Sequence, residues 1–250
     1  MSRSNLDTLN REDFSGVVSF NNSMKDMKDF YEGYWGYRKE KDHLYSNQVP
    51  GRLPAAIDLL NDQRITSILD VGCGEGTLGQ MLGGEYKTVG VDISEQALEM
   101  ASEHYDSTKQ MNVEDMDLSS ALDMQFDAVV CMELLEHVFQ PKKVLQNIRT
   151  VMHDDSLLIT SFPNFVFWKH RLDMIKGKTP QNYTVYSEAE HIQNFTFENF
   201  GQLIEQAGFT VDQWYPQYST PKIIPVFFGR IRPSLFASQV VVAATPDRND

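Results

Sequence analysis

Cysteine is scarce, with two residues, Cys73 and Cys131, in 250. Each closes an apolar run that reads as a buried strand, so no disulfide framework is expected and a reducing, cytoplasmic setting is. Long apolar runs are missing as well. None reaches the ~18 residues that a membrane-spanning helix needs, and the polar stretch Met1 to Asn10 lacks the apolar core of a secretory signal. Basic charge is in deficit: 22 Lys+Arg stand against 35 Asp+Glu, for a net charge of −13. A field of that sign repels phosphate backbones and anionic headgroups, so neither nucleic acid nor a membrane is an expected partner. The longest basic run is Arg38-Lys39-Glu40-Lys41. The histidines (His43, His104, His137, His153, His170 and His191) lack ligand spacing with one another or with the cysteines, and no metal site is expected. Internal repeats and low-complexity tracts do not occur.

What is present suffices for an ordinary core, with 41% hydrophobic and 23% charged residues. The length suits one α/β domain with additions. Residues 1–23 are polar. A dense aromatic patch follows, from Phe30 to Arg38, and it reads either as a lid or as packing that pins an N-terminal helix. Pro50 and Pro54 bracket the start of a helix over Ala55–Leu60. From Ile65 a strand–turn–helix rhythm sets in. Strands are expected at Ile68–Val71, Thr88–Asp92, just before Glu114-Asp115, at Phe126–Cys131 and at Leu157–Phe162. The intervening helices are expected at Thr77–Leu82, from the Ser94 cap to His104, and over Lys142–Val151. Continuously apolar strands separated by helices predict a mostly parallel sheet covered on both faces, a Rossmann-like α/β fold. After Pro163 the rhythm breaks through 163–195. A helix over Glu198–Ala207 and two late strands, Val211–Tyr215 and Gln239–Ala244, bring the sheet to seven strands. The division expected is an N-terminal extension or lid, 1–49, and a domain over 50–250 carrying an insertion at 163–195.

Asp70-Val71-Gly72-Cys73-Gly74-Glu75-Gly76 joins a buried strand to a helix, and its glycines let backbone approach a ligand closely. About twenty residues past Gly72, Asp92 ends the second strand, where a carboxylate can accept both ribose hydroxyls of an adenosine. Gly74, Gly76 and Gly79 also spell the dinucleotide fingerprint G-x-G-x-x-G. Against a pyrophosphate stands Asp70, whose negative charge, with Glu75 and Asp92, suits a cationic sulfonium and an ammonium better. A packing turn with no ligand remains the plain alternative.

The segments ILDVGCGEGTLG, VGVDIS, VEDMD and FDAVVCMELLEHV, in that order and spacing, resemble the signature segments of class I S-adenosylmethionine methyltransferases. The resemblance implies S-adenosylmethionine as cofactor. Asp70, Gly72 and Gly74 would surround its methionine end and Asp92 its ribose. Ile93, Asp115 and Met116 would frame the adenine, and Met132 would lie by the adenosine or the sulfonium. Arg52 would reach the cofactor carboxylate, with a surface arginine as the alternative. SFPNFVFWKHRLDMIKGKTP and HIQNFTFENFGQLIEQAGF look more narrowly like the methionine-biosynthesis protein W branch and small-metabolite methyltransferases near it.

A sulfonium already carries an activated methyl group, so the protein has to align an acceptor, exclude water and remove a proton. The expected bases are His137, then His191; Glu136 reads as a solvated carboxylate at a helix start. Tyr31, Tyr34, Trp35 and Arg38 are the expected substrate side, from the lid. The partner implied is a small-molecule acceptor, O- or N-methylated and sugar-like or anionic, and a homodimer is compatible with that. Two rival functions stand beside it: a non-catalytic, cofactor-binding activator of a metabolic enzyme, and a nicotinamide (NAD)-dependent oxidoreductase.

Overall fold

The computed structural model describes residues 24–40, 51–61, 64–178, 191–218 and 232–247. Of the N-terminal extension it therefore describes helix α1, Met24–Glu40. The two-part division of the chain and the lid as a whole fall largely outside the described residues.

The elements then run α2 (Arg52–Asn61), β1 (Ser67–Val71), α3 (Thr77–Leu82), β2 (Lys87–Asp92), α4 (Glu95–Ala101), β3 (Ser107–Gln110) and α5 (Leu118–Ala121). They continue with β4 (Phe126–Cys131), a 3-10 turn (Leu135–His137), α6 (Pro141–Arg149), β5 (Met152–Pro163) and α7 (Trp168–Ile175). The last are α8 (Phe197–Gln206), β6 (Phe209–Gln217), α9 (Pro233–Phe236) and β7 (Gln239–Pro246). The seven strands form one sheet in the order β3-β2-β1-β4-β5-β7-β6. Six run in one direction, with β1 to β5 pairing parallel, and β7 alone runs the other way, slotted antiparallel between β5 and β6. The expected α/β Rossmann-like architecture is therefore the one observed.

Alternation along each strand explains the two-sided core. Ile68, Ala128, Val130, Ile159 and Val241 face α2 and α3, meeting Leu53, Ala56, Leu60, Leu78 and Leu82. Their neighbours Leu69, Val129, Cys131, Leu158 and Val242 face the other way, onto Val144, Leu145 and Ile148 of α6 and Phe200 and Ile204 of α8. β1 is buried at every position, which suits a central parallel strand.

Boundaries differ from expectation for local reasons. α2 begins three residues early, at Arg52, because Pro54 fits within a first turn. α4 stops at Ala101, where Ser102 closes onto Leu98 and His104 onto Ala101. β5 starts at Met152 rather than Leu157, since its exposed His153-Asp154-Asp155 stretch is polar and masks the strand in composition. α8 is opened by a reciprocal box in which Thr196 Oγ1 accepts from Asn199 N and Asn199 Oδ1 accepts from Thr196 N. Phe162 stacks on Phe200 at 4.3 Å between ring centroids, and Phe195 meets both rings edge-on, which ties the far end of the insertion to the sheet. Among the described residues no helix is long and apolar enough to cross a membrane.

Candidate active site

The chain moves outward from β1 through β2 to β3 and then returns to β4 on the other flank of β1. Such a reversal opens a crevice at the carboxyl ends of the strands. A cavity of about 490 Å³ lies there, walled by the loops after β1, β2, β3 and β4, by α1 and by His191.

One wall is the glycine turn after β1. Gly72, Gly74 and Gly76 all take positive φ (77°, 53° and 87°), a conformation that favours glycine. Gly72 N and Cys73 N both donate to Val91 O, folding the turn back over β2. Asp92 pins it from the other side: its Oδ2 accepts from Gly74 N and its Oδ1 from Ser94 N, each at 2.9 Å. Asp70 is buried below the turn and accepts from the Tyr105 hydroxyl at 2.5 Å. Burial pushes its carboxyl up to about 7, the Tyr105 hydrogen bond opposes this, and the Asp92 charge adds to it. Burial likewise raises Asp92. Gly79, third glycine of the literal fingerprint, does not face the cavity lining; a Cβ there would sit 2.6 Å from His104 O, so this glycine serves helix packing.

α1 forms the roof. Tyr31, Tyr34 and Trp35 line the cavity together with Met27. Trp35 lies so close over the turn that a Cβ on Gly74 would stand 2.8 Å from its ring. The helix is fastened by Glu32, whose carboxylate accepts from Ser94 Oγ and from the backbone N–H groups of Glu95 and Gln96 at 2.8–3.1 Å. Slight burial opposes ionisation, but these hydrogen bonds hold the Glu32 carboxyl below its usual range. Burial, then the charges of Asp92 and Glu136, pushes the Tyr31 phenol far up.

The opposite wall follows β4. Glu133 takes a left-handed φ of 52°, the conformation that turns the chain out of the sheet. Its carboxylate accepts from Ser161 Oγ (3.2 Å) and Gln239 Nε2 (3.3 Å), with Arg52 Nε at 3.9 Å. The 3-10 turn then presents Glu136 and His137. Ile192 N and Gln193 N both donate to Glu136 O, at 2.8 and 3.0 Å, and this bracket brings the neighbouring His191 to the cavity. The two imidazoles stand 4.9 Å apart between ring centroids. Burial lowers the His191 imidazole. Glu136 is fully buried, and burial followed by the neighbouring Glu133 charge drives its carboxyl well above the usual range.

A family model described as a methyltransferase domain matches residues 37–213. The chain belongs to that family. It is similar to the ubiquinone biosynthesis O-methyltransferase of Glaesserella parasuis serovar 5 (strain SH0165), 33% identical over 124 residues, which cover 46% of this chain and 52% of that protein. A second relative is the ubiquinone biosynthesis O-methyltransferase of Thiobacillus denitrificans, 45% identical over 83 residues, or 31% of this chain and 36% of that protein. The chain thus spans about half, or less, of the length of these curated relatives. Among solved structures it shares the fold of a magnesium protoporphyrin IX methyltransferase from Synechocystis PCC 6803 with bound SAH, at TM-score 0.63 and 15% identity, covering 90% of this chain and 100% of that one.

Most of the expected site residues converge on the cavity. Arg52, Asp70, Gly72, Gly74, Asp92, Ile93, Met132, His137, His191, Tyr31, Tyr34 and Trp35 all line the cavity. The side chain of Arg38 lies outside the described residues. Asp115 and Met116 do not line it. Asp115 N and Met116 N both donate to Asn112 O, a tight turn that points the pair outward, and both are exposed. Asn112, Val113 and Glu114 hold the wall instead. Glu136 also departs from expectation: it is buried, not solvated. The expectation of no ligand cluster meets a different geometry too, since Glu136, His137 and His191 bring one ligand atom each within 4.8 Å of the others. Sequence spacing could not reveal this, because His191 arrives by the backbone bracket on Glu136 O. The adjacent pair Glu136-His137 just past a central strand was the available signal.

Proposed function

We propose that this chain is an S-adenosylmethionine-dependent methyltransferase acting on an oxygen of a small metabolite. One observation supports the reading: a single cavity is lined both by Asp92 and the glycine turn, which suit an adenosine, and by His137 and His191, which suit the handling of a proton. The volume, about 490 Å³, is that of a small-molecule pocket rather than a polymer groove.

The residues present fit the cofactor. Each Asp92 oxygen takes one backbone N–H and keeps lone-pair capacity for ribose hydroxyls. Asn112 and Val113 would face the base. Asp70 and Asp92 bury negative charge where a phosphate would be repelled and an ammonium or sulfonium attracted. When bound, S-adenosylmethionine supplies a methyl group already activated by its sulfonium. The chain's own part is to hold the acceptor in line, to shut out water with Tyr31, Tyr34 and Trp35, and to manage the acceptor's proton at the His137–His191 end. The names of the curated relatives support an oxygen acceptor. The net charge of −13 counts against nucleic acid and anionic lipid as partners, and two buried free cysteines favour a cytoplasmic setting.

Calorimetry with S-adenosylmethionine, S-adenosylhomocysteine and NAD is the test, followed by transfer of labelled methyl to a panel of phenols and alcohols. Binding of the first two and turnover of at least one hydroxyl acceptor are expected. Binding of NAD alone would end the reading, and cofactor binding with no transfer to any acceptor would favour an activator role.

A further inference from the structure

Gly79 on α3 and Gly90 on β2 make room for one side chain. A Cβ on Gly79 would stand 2.7 Å from Cζ of Tyr105, and one on Gly90 would stand 3.1 Å from the same ring. Helix and strand interiors both lose stability at glycine, so two of them against one phenol mark a cradle kept open for it. Tyr105 comes from the turn between α4 and β3 and is buried with Cys73, Leu98 and Ala101. Phenylalanine would fill that space as well; the hydroxyl is what sets tyrosine apart. It donates to Asp70 Oδ2 at 2.5 Å and accepts from Gly79 N at 3.1 Å. Gly79 N belongs to the first turn of α3, where N–H groups lack an acceptor within the helix. A chain of hydrogen bonds thus runs from the helix start through the phenol to the carboxylate, each bond polarising the other. Burial, then the charges of Asp70 and Cys73, keeps the phenol protonated, so it stays a donor to Asp70.

We propose that Tyr105 is a positioning residue for cofactor recognition: its hydroxyl fixes one oxygen of Asp70 and leaves the other, as a carboxylate, to take the ligand's ammonium. The ligand rests on the S-adenosylmethionine reading, while the pairing of Tyr105 with Asp70 stands on the cradle and the hydrogen bond. Asp70 lines the cavity and Tyr105 does not, so the phenol acts through the carboxylate and touches no ligand. Among the described residues, the titratable groups facing Asp70 are Tyr105, Asp92 on β2, Cys73 in the glycine turn and Cys131 on β4. The phenol favours the charged form of Asp70, Asp92 opposes it, and both thiols are held neutral chiefly by burial. Without the hydroxyl, burial and then the Asp92 charge keep a proton on Asp70 to higher pH. A neutral carboxyl holds a cation weakly.

Tyr105→Phe keeps the ring in its cradle and removes the bond. Full-length wild type and variant should be titrated with S-adenosylhomocysteine by calorimetry between about pH 6 and about pH 9. The Asp70 carboxyl should be followed in parallel by ¹³C resonance, without ligand. At about pH 6 the variant should bind about tenfold or more weakly, the scale of one hydrogen bond to a charged group. By about pH 9, where Asp70 ionises in both proteins, the gap should close to within about threefold. The ligand's own ionisation is common to both and cancels in the ratio. The Asp70 titration should move up in the variant. A packing role alone would give a loss that is the same at every pH; that result, no loss at all, or an unmoved Asp70 titration overturns the proposal. Ligand binding with such a result leaves the methyltransferase reading intact, whereas wild-type protein that binds no S-adenosylhomocysteine overturns both. Should Tyr105→Phe fail to fold, 3-fluorotyrosine at position 105, a stronger donor, should move the Asp70 titration down, and an unmoved titration defeats the proposal.

Discussion

The two ends of the cavity are built on opposite principles. At the β1–β2 end the two aspartates are satisfied: Asp92 accepts from Gly74 N and Ser94 N, and Asp70 accepts from Tyr105. At the β4 end a buried carboxylate, Glu136, has no hydrogen-bond partner among the described residues, and Glu133 sits in left-handed backbone. Satisfied groups make a fixed mould, which suits a cofactor whose shape does not vary. An unsatisfied group in a low-dielectric wall is costly unless something charged or polar completes it, and such spots are where chemistry is carried out. The difference fits the proposed division, recognition at one end and reactivity at the other.

The sharpest way to break that assignment is His137→Ala. It should lower kcat by about 10²–10⁴-fold and leave S-adenosylhomocysteine affinity unchanged, read from steady-state kinetics beside calorimetry. Equal loss of both would mean that the two ends are not separable. The reciprocal change, Asp92→Asn, removes a charged acceptor from the mould. A loss of about 10–100-fold in cofactor affinity is expected, the scale of one or two hydrogen bonds to a charged group.

The two ends also differ in how plainly the sequence announces them. The recognition end is local: the glycines, Asp70 and Asp92 sit in contiguous segments, and the left-handed turn requires glycine, so residue type alone exposes it. The sheet was legible for the same reason, since β1 and β4 are continuous apolar runs. β3 was not. Its Ser107–Gln110 stretch is largely exposed and carries no periodic signal, and the residues after it that line the cavity are Asn112, Val113 and Glu114 rather than the expected Asp115 and Met116. At the reactive end His137 and His191 were both expected and both line the cavity, but their meeting with a buried Glu136 was not. Burying a lone glutamate runs against its ordinary preference, so Glu136 reads as solvated. His191 reaches the site through backbone hydrogen bonds to a segment more than fifty residues away, a contact no local pattern encodes.

A subtler comparison concerns charge within the recognition end. The Asp70 carboxyl, pushed up to about 7 chiefly by burial, keeps its proton over a range where the unfolded chain, near about 3.9, has lost it. The folded state binds the extra proton between those values, so this group's contribution to stability falls as pH rises from about 4 to about 7. A cationic ligand against Asp70 reverses the shift. Cofactor binding at pH 7 should therefore release roughly half a proton per chain, measured by calorimetry in buffers of different ionisation heat. Asp70→Asn should abolish the release. No dependence on buffer in the wild type would mean that Asp70 meets no positive charge from the ligand.

The smallest expected effect lies in the fastening of the roof. Glu32 spans from α1 to the start of α4 and accepts three hydrogen bonds there. Its carboxyl is held below its usual range, so the tie is complete above the unfolded value, near about 4.3, and weakens only as pH falls through the lower folded value. At neutral pH Glu32→Gln keeps the shape and removes the charge. By analogy with losing an exposed helix cap, it should weaken closure by about 1 kcal/mol. Because α1 covers both ends of the cavity, the change should raise KM for cofactor and acceptor together by roughly fivefold, with kcat little altered. Limited proteolysis within α1 should quicken in step. An effect on the acceptor alone would instead assign α1 to substrate recognition, with Glu32 merely positioning its aromatic face.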